Sequence, residues 1–174
     1  MGLPEAGPGF PGVEAAEKLL AQASRFRVLA VGPGLSEKSG SFVKRLITQC
    51  PLPLVLDAGA LGALGSEGPG ALLGARFLPA VLTPHAGEMA RLIGRSLESV
   101  RANKLEVARE YARRWNTVIV LKGAHTVVAT PEGKASFNPT GGPVLATAGT
   151  GDLLTGLIAA LIARGLEPAK AAAA

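Results

Sequence analysis

Short runs of consecutive apolar residues alternate along the chain with stretches whose apolar positions recur every three or four residues. The first pattern fits strands buried on both faces, and the second fits helices that bury one side. Met1–Gly12, with Pro4, Pro8 and Pro11, reads as an extended entry segment, and helical spacing runs from about Val13 to Ser24. A strand around Val28–Val31 then leads into a Gly32-Pro33-Gly34 turn. Over Ser36–Gln49, Phe42, Val43, Leu46 and Ile47 share one helical face. Pro51 and Pro53 end that helix before a strand at Leu54–Leu56, which Asp57 closes. A Gly- and Ala-rich helical region precedes a short strand, Ala80–Leu82, which ends at Thr83-Pro84-His85, and a helix through Glu88–Ile93 follows.

Ser99–Trp115 reads as one helix with Val100, Val107, Tyr111 and Trp115 inward, and Thr117–Leu121 is the most β-branched run. Beyond Lys122-Gly123, Thr126–Thr130 and Lys134–Phe137 pattern as a hairpin turned by Pro131-Glu132-Gly133. In the last helix Leu153, Leu154, Leu157, Ile158, Leu161 and Ile162 recur at helical spacing, with Gly165 and Pro168 as the stop. Strands separated by helices in this order predict an α/β protein: a mostly parallel central sheet flanked by helices on both faces.

Composition narrows the class. The 174 residues suit one domain, 1–174, and 48% apolar against 18% charged residues rules out disorder over the whole length. The single cysteine, Cys50, cannot form an internal disulfide and suits a reducing compartment, which makes the cytoplasm the expected location. Apolar stretches such as Val118–Leu121 and Leu157–Ala163 fall short of the roughly 18 residues that a membrane span needs. The formal charge of +5 is compatible with anionic ligands, nucleotides included. An aromatic content of 4% argues against a base-stacking platform and so against nucleic acid as the partner.

In open α/β sheets, ligands sit beyond the carboxyl ends of the strands. The residues leaving those ends are Gly32-Pro33-Gly34, Asp57, Thr83-Pro84-His85 and Lys122-Gly123. Asn138-Pro139-Thr140-Gly141-Gly142 and then Ala148-Gly149-Thr150-Gly151-Asp152 open directly onto the last helix. Small residues there let backbone N–H groups and the helix dipole meet an anion. Asp152 has two readings, a cap or dipole partner of its helix and a base that takes a proton from an attacking hydroxyl. The next segment also has two readings: Thr83 and Glu88 as a capping arrangement that needs no ligand, or His85 as a hydrogen-bonding group facing the ligand. The turn is neither a Walker A loop nor a dinucleotide fingerprint, since Leu154 stands where a third glycine would. Two distant histidines and one cysteine build no zinc site, so any metal would be a hard cation bridging phosphates.

Five segments together resemble the ADP/ATP-dependent NAD(P)H-hydrate dehydratases of the ribokinase-like superfamily. They are Val31–Leu35, Val55–Leu61, Leu82–Glu88, Leu121–Thr126, and Asn138–Gly141 through Ala148–Asp152. The resemblance implies a three-layer ribokinase-like fold and repair of hydrated NADH or NADPH, by phosphorylation of the ring hydroxyl and loss of phosphate. Asp152 would be the catalytic base, and Ala148, Gly149, Thr150 and Gly151 the anion hole. Gly34 and His85, with Asp152, would bind the hydrate; Lys122, Gly123, Ala124, His125, Thr126 and Gly151 would bind ADP or ATP, with Mg²⁺. Relative to that family the chain reads as partial at both ends, with a sheet incomplete at its N-terminal side, so a homo-oligomer is expected. Two other readings keep the fold: a kinase of a small alcohol such as a pyrimidine or thiazole precursor, and a non-catalytic nucleotide-binding module.

Overall fold

The computed structural model describes residues 2–65, 69–78 and 80–174. The entry segment forms a small antiparallel ribbon of β1 (Glu5–Gly7) and β2 (Phe10–Pro11), which leads into α1 (Val13–Leu20). β3 (Leu29–Val31), α2 (Gly40–Gln49), β4 (Leu54–Leu56), α3 (Ala58–Leu64), α4 (Gly70–Gly74) and β5 (Val81–Leu82) follow. Then come α5 (Ala86–Ile93), α6 (Leu97–Ala102), α7 (Lys104–Arg114), β6 (Val118–Leu121), β7 (Val127–Ala129) and β8 (Ala135–Phe137). The chain closes with α8 (Thr150–Ala163) and α9 (Pro168–Ala173). No described helix is long and apolar enough to cross a membrane.

Six strands form one sheet in the order β3-β4-β5-β6-β7-β8, the first four parallel and the last two antiparallel. Alternation along each strand sorts residues by shape. Leu54, Leu56, Leu82, Ile119, Leu121 and Val127 face a core that α1 to α7 share. Val55, Val81, Val118, Val120 and Val128 face the other way, beneath Ile158, Ala159 and Ile162 of α8 and Ala171 of α9. The result is three layers, as the buried-strand pattern predicts.

Local chemistry fixes several joints. At Gly32, where φ is +138°, an added Cβ would collide with the carbonyl oxygen of Asp57, so only glycine lets the end of β3 lie against the end of β4. Arg76 donates to the carbonyls of Ile47, Cys50, Leu52 and Leu78, at 2.6 Å to Ile47 and 2.7 Å to Leu52. One guanidinium thereby satisfies the orphan C-terminal carbonyls of α2 and pins the following loop.

Three expectations need correction. Ser99–Trp115 is two helices broken at Asn103, whose side chain donates to the Ser99 carbonyl at 3.0 Å. Asparagine competes for backbone partners in this way, and Ser96 caps α6 two residues earlier than the apolar pattern suggested. Pro168 does not merely end α8; it occupies the first turn of α9, where its missing N–H costs nothing. The apolar stripe of α8 is wider than one buried face: Ile158 and Ile162 are buried, whereas Leu153 and Leu157 are 73% and 53% exposed.

Candidate functional site at the strand ends

The parallel strands deliver their C-terminal residues to one edge. Beyond β5 and β6 the pairing continues as an isolated parallel bridge between His85 and Lys122, with the Lys122 amide donating to the Pro84 carbonyl at 2.8 Å. Asp57 follows β4 and occupies the N-cap position of α3, yet its side chain makes no cap bond. Instead its carboxylate accepts from Lys122 Nζ at 2.7 Å and from the Thr155 hydroxyl at 2.8 Å. Asp57 is 1% exposed, so both oxygens of a buried charge are satisfied, one by an ammonium and one by α8.

This cluster seats the start of α8. Gly149 is the N-cap, with φ at +89°, and no side chain caps the helix. The Thr150 amide donates to the Thr147 carbonyl at 3.2 Å. A Cβ at Gly151 would lie 3.4 Å from Lys122 Nζ and 3.5 Å from Asp57 Oδ2, so the backbone of the first turn rests directly on the ion pair. The positive end of a fourteen-residue helix and a lysine ammonium are thus brought together, a combination suited to a phosphoryl group. Asp152 is exposed, and among the described residues its carboxylate takes part in no hydrogen bond or ion pair. Ala148 is exposed beside it, and Thr150 and Gly151 are partly covered.

His85 is the N-cap of α5. Its Nδ1 accepts from the amides of Gly87 at 3.0 Å and Glu88 at 3.1 Å, and Glu88 returns the bond to the His85 amide at 2.8 Å. Two amides pointing at Nδ1 assign the proton of the neutral ring to Nε2, which lies 3.6 Å from Glu88 Oε1 on an exposed ring. The capping group is His85 and not Thr83, which is buried with its hydroxyl on the Leu56 carbonyl at 3.3 Å. Gly34 is exposed in the turn after β3, with φ at +74°. No direct bond joins Gly34 or His85 to Asp152 among the described residues.

Between β6 and β7, Gly123, Ala124 and His125 are exposed, and Thr126 donates its hydroxyl to the Gly123 carbonyl at 3.0 Å. Lys104, the first residue of α7, reaches this loop, donating to the carbonyls of Ala124 at 2.9 Å and His125 at 3.1 Å. Partial burial holds the Lys104 ammonium below the usual lysine pKa. A cavity of about 250 Å³ lies between α3 and α5, lined by Glu37, Leu61, Gly62, Gly65, Glu88, Arg91 and Leu92. It shares Glu88 with the His85 cap, and none of its lining residues belongs to the 148–152 turn. Among the described residues no three His, Cys, Asp or Glu side chains gather as metal ligands.

Three contributors were missed by sequence reasoning. Asp57 was placed at the strand-end edge but given no role there, and Thr155 was not singled out. The link between them spans 98 positions. Lys104 carried no signal beyond being one more cation within the expected Ser99–Trp115 helix; the break at Asn103 is what makes it the first residue of α7.

A family model described as NAD(P)H-hydrate dehydratase matches residues 6–174. The chain is 46% identical over 175 residues to a bifunctional NAD(P)H-hydrate repair enzyme Nnr from Moorella thermoacetica, covering 99% of this chain and 33% of that protein. It is similar to the crystal structure of ADP/ATP-dependent NAD(P)H-hydrate dehydratase from Bacillus subtilis co-crystallized with ATP/Mg²⁺, at 37% identity and a TM-score of 0.74, covering 87% of this chain and 55% of that one. A ribokinase-like superfamily protein from Enterococcus faecalis aligns at 26% identity and a TM-score of 0.67, over 92% of this chain and 56% of that one. The chain therefore spans about a third to a little over half of these proteins.

Proposed function

We propose, for a chain that belongs to the NAD(P)H-hydrate dehydratase family and has a ribokinase-like fold, that it serves nucleotide-dependent dehydration of hydrated NADH or NADPH. Hydroxide is a poor leaving group, and phosphorylation turns the ring hydroxyl into a good one. Asp152 takes the hydroxyl proton as that oxygen attacks the terminal phosphoryl group of ADP or ATP, breaking its bond to the bridging oxygen and releasing AMP or ADP. The amides of Ala148–Gly151 and the dipole of α8 hold the charge that builds on the transferring group. The ring nitrogen lone pair then expels phosphate, and loss of a proton from the adjacent carbon restores the reduced nicotinamide.

The observation that carries this reading is the start of α8. Its N-terminus is uncapped, it is seated on the Asp57–Lys122 pair, and it presents an unpaired aspartate beside the strand ends. Gly34 and the Nε2–H of His85 line the hydrate pocket, and Lys122–Thr126 with Gly151 hold the adenine nucleotide. A Mg²⁺ would be held largely by the nucleotide phosphates and water, with Asp152 as a carboxylate that could face it. Mg²⁺ would supply charge neutralisation on the phosphates.

The test is incubation with hydrated NADH or NADPH, Mg²⁺ and either ADP or ATP, following the near-ultraviolet absorbance of the reduced ring and the release of free phosphate. Recovery of both signals by the native chain and their loss in Asp152→Asn support the proposal. Accumulation of a phosphorylated alcohol without recovered absorbance would instead make the chain a kinase, and nucleotide binding without turnover would make it a binding module.

A further inference from the structure

The loop after β6 has an uneven distribution of polar groups. The carbonyls of all three of its exposed residues are taken: Gly123 by the Thr126 hydroxyl within the loop, and Ala124 and His125 by Lys104 Nζ. In a planar trans peptide the N–H points opposite to the C=O. The amides of His125 and Thr126 therefore point away from Lys104, that of Ala124 points away from the Thr126 hydroxyl, and among the described residues no backbone acceptor takes any of them. The arrangement has a conformational cost, since φ is +130° at Gly123 and +53° at His125, and a left-handed non-glycine residue persists only when its surroundings hold it.

The holding group is Lys104. A lysine ammonium has three donors and no acceptor, so it can gather several acceptors at once, here two carbonyls. Its position does not serve α7, because a cation in the first turn of a helix opposes the dipole. It serves the loop 20 and 21 residues away.

We propose that Lys104 is a positioning residue for nucleotide binding: by collecting the carbonyls of Ala124 and His125, it keeps the loop amides turned outward as a row of donors for the adenine nucleotide. This rests on the reading that Lys122–Thr126 holds the nucleotide. Lys104 itself does not touch the ligand.

The experiment is calorimetric titration of the native chain, Lys104→Met and Lys104→Arg with ADP and with ATP, alongside thermal unfolding of each. Lys104→Met loses both carbonyl bonds and weakens nucleotide binding by about tenfold or more, the scale of charged hydrogen bonds. Lys104→Arg, which still donates to carbonyls, recovers part of that loss. The unfolding midpoints stay close to the native value, because α7 loses no packing; a purely structural lysine would lower the midpoint and leave affinity alone. If Lys104→Met melts early, Lys104→Ala, which likewise has no donor, is titrated below its own midpoint against the same threshold. Native-like affinity in the folded variant overturns the positioning role while leaving the nucleotide site intact. A native chain that binds neither nucleotide overturns the site reading and this inference with it.

Discussion

The two faces of the central sheet are built differently. One face presents leucine and isoleucine to a core that α1 to α7 share and holds nearly all the large buried side chains, among them Leu54, Leu56, Leu82, Ile119 and Leu121. The other presents valines, and α8 and α9 cover it with Ile158, Ala159, Ile162 and Ala171. The thick face is redundant, with many contacts per residue, so it supplies stability without needing any one side chain for chemistry. The thin face carries a helix whose first turn has to remain open. α8 is held at depth by Ile158 and Ile162 and at its start by Thr155 on Asp57, while Leu153, Leu157 and Asp152 face outward. On the proposed function, stability and chemistry fall on opposite sides of the same strands, and they meet at Asp57, which ends a strand and anchors that helix.

The sharpest way to break this division is Asp152→Asn. It should lower dehydration about 10²- to 10⁴-fold, the range for loss of a general base, and leave urea unfolding unchanged within about 0.5 kcal/mol. A large stability loss would show that the carboxylate does structural work instead. Next is the junction. Lys122→Met leaves Asp57 buried and unpaired and should cost about 3–5 kcal/mol in unfolding free energy. It should also loosen the seat of α8, and nucleotide titration reports that second effect. Thr155→Val removes one neutral donor from the same carboxylate, at about 1–3 kcal/mol.

On the thick face, Leu82→Ala opens a cavity worth about 2–5 kcal/mol in the unfolding transition. Nucleotide affinity per folded molecule should not change, which separates it from the junction variants. The smallest effect belongs to Leu153→Ser and Leu157→Ser, within about 0.5 kcal/mol for side chains already in water. Light scattering of the same two variants asks whether this exposed strip joins copies of the chain. A fall in mass on substitution would place a self-association surface there.

Most of the layering was legible in the sequence because it depends on periods that side chains impose locally. Leu54–Leu56 and the helix carrying Phe42, Val43, Leu46 and Ile47 appear where the apolar spacing puts them. The small-residue turn before α8 was equally legible, since glycines and a following apolar helix are neighbours in the chain. The break at Asn103 was harder, because the helical period continues across it and only one side chain's preference for its own backbone interrupts it. His85 as a cap in place of Thr83 shows the same limit: both residue types could serve, and the strand that buries Thr83 decided between them.

From the order of residues alone came the alternation of strands and helices, the burial of the strands, and the glycine turn that opens onto Asp152, all set by interactions within a few positions. Only the tertiary structure decided that Asp57, Lys122 and Thr155 form one cluster, that Arg76 closes the end of α2, and that Lys104 orients a loop on another element. The reason is physical. A buried charge or an orphan carbonyl must be satisfied by whichever group the fold delivers, and the chain path to that group, 65 residues from Asp57 to Lys122 and 98 to Thr155, leaves no local trace.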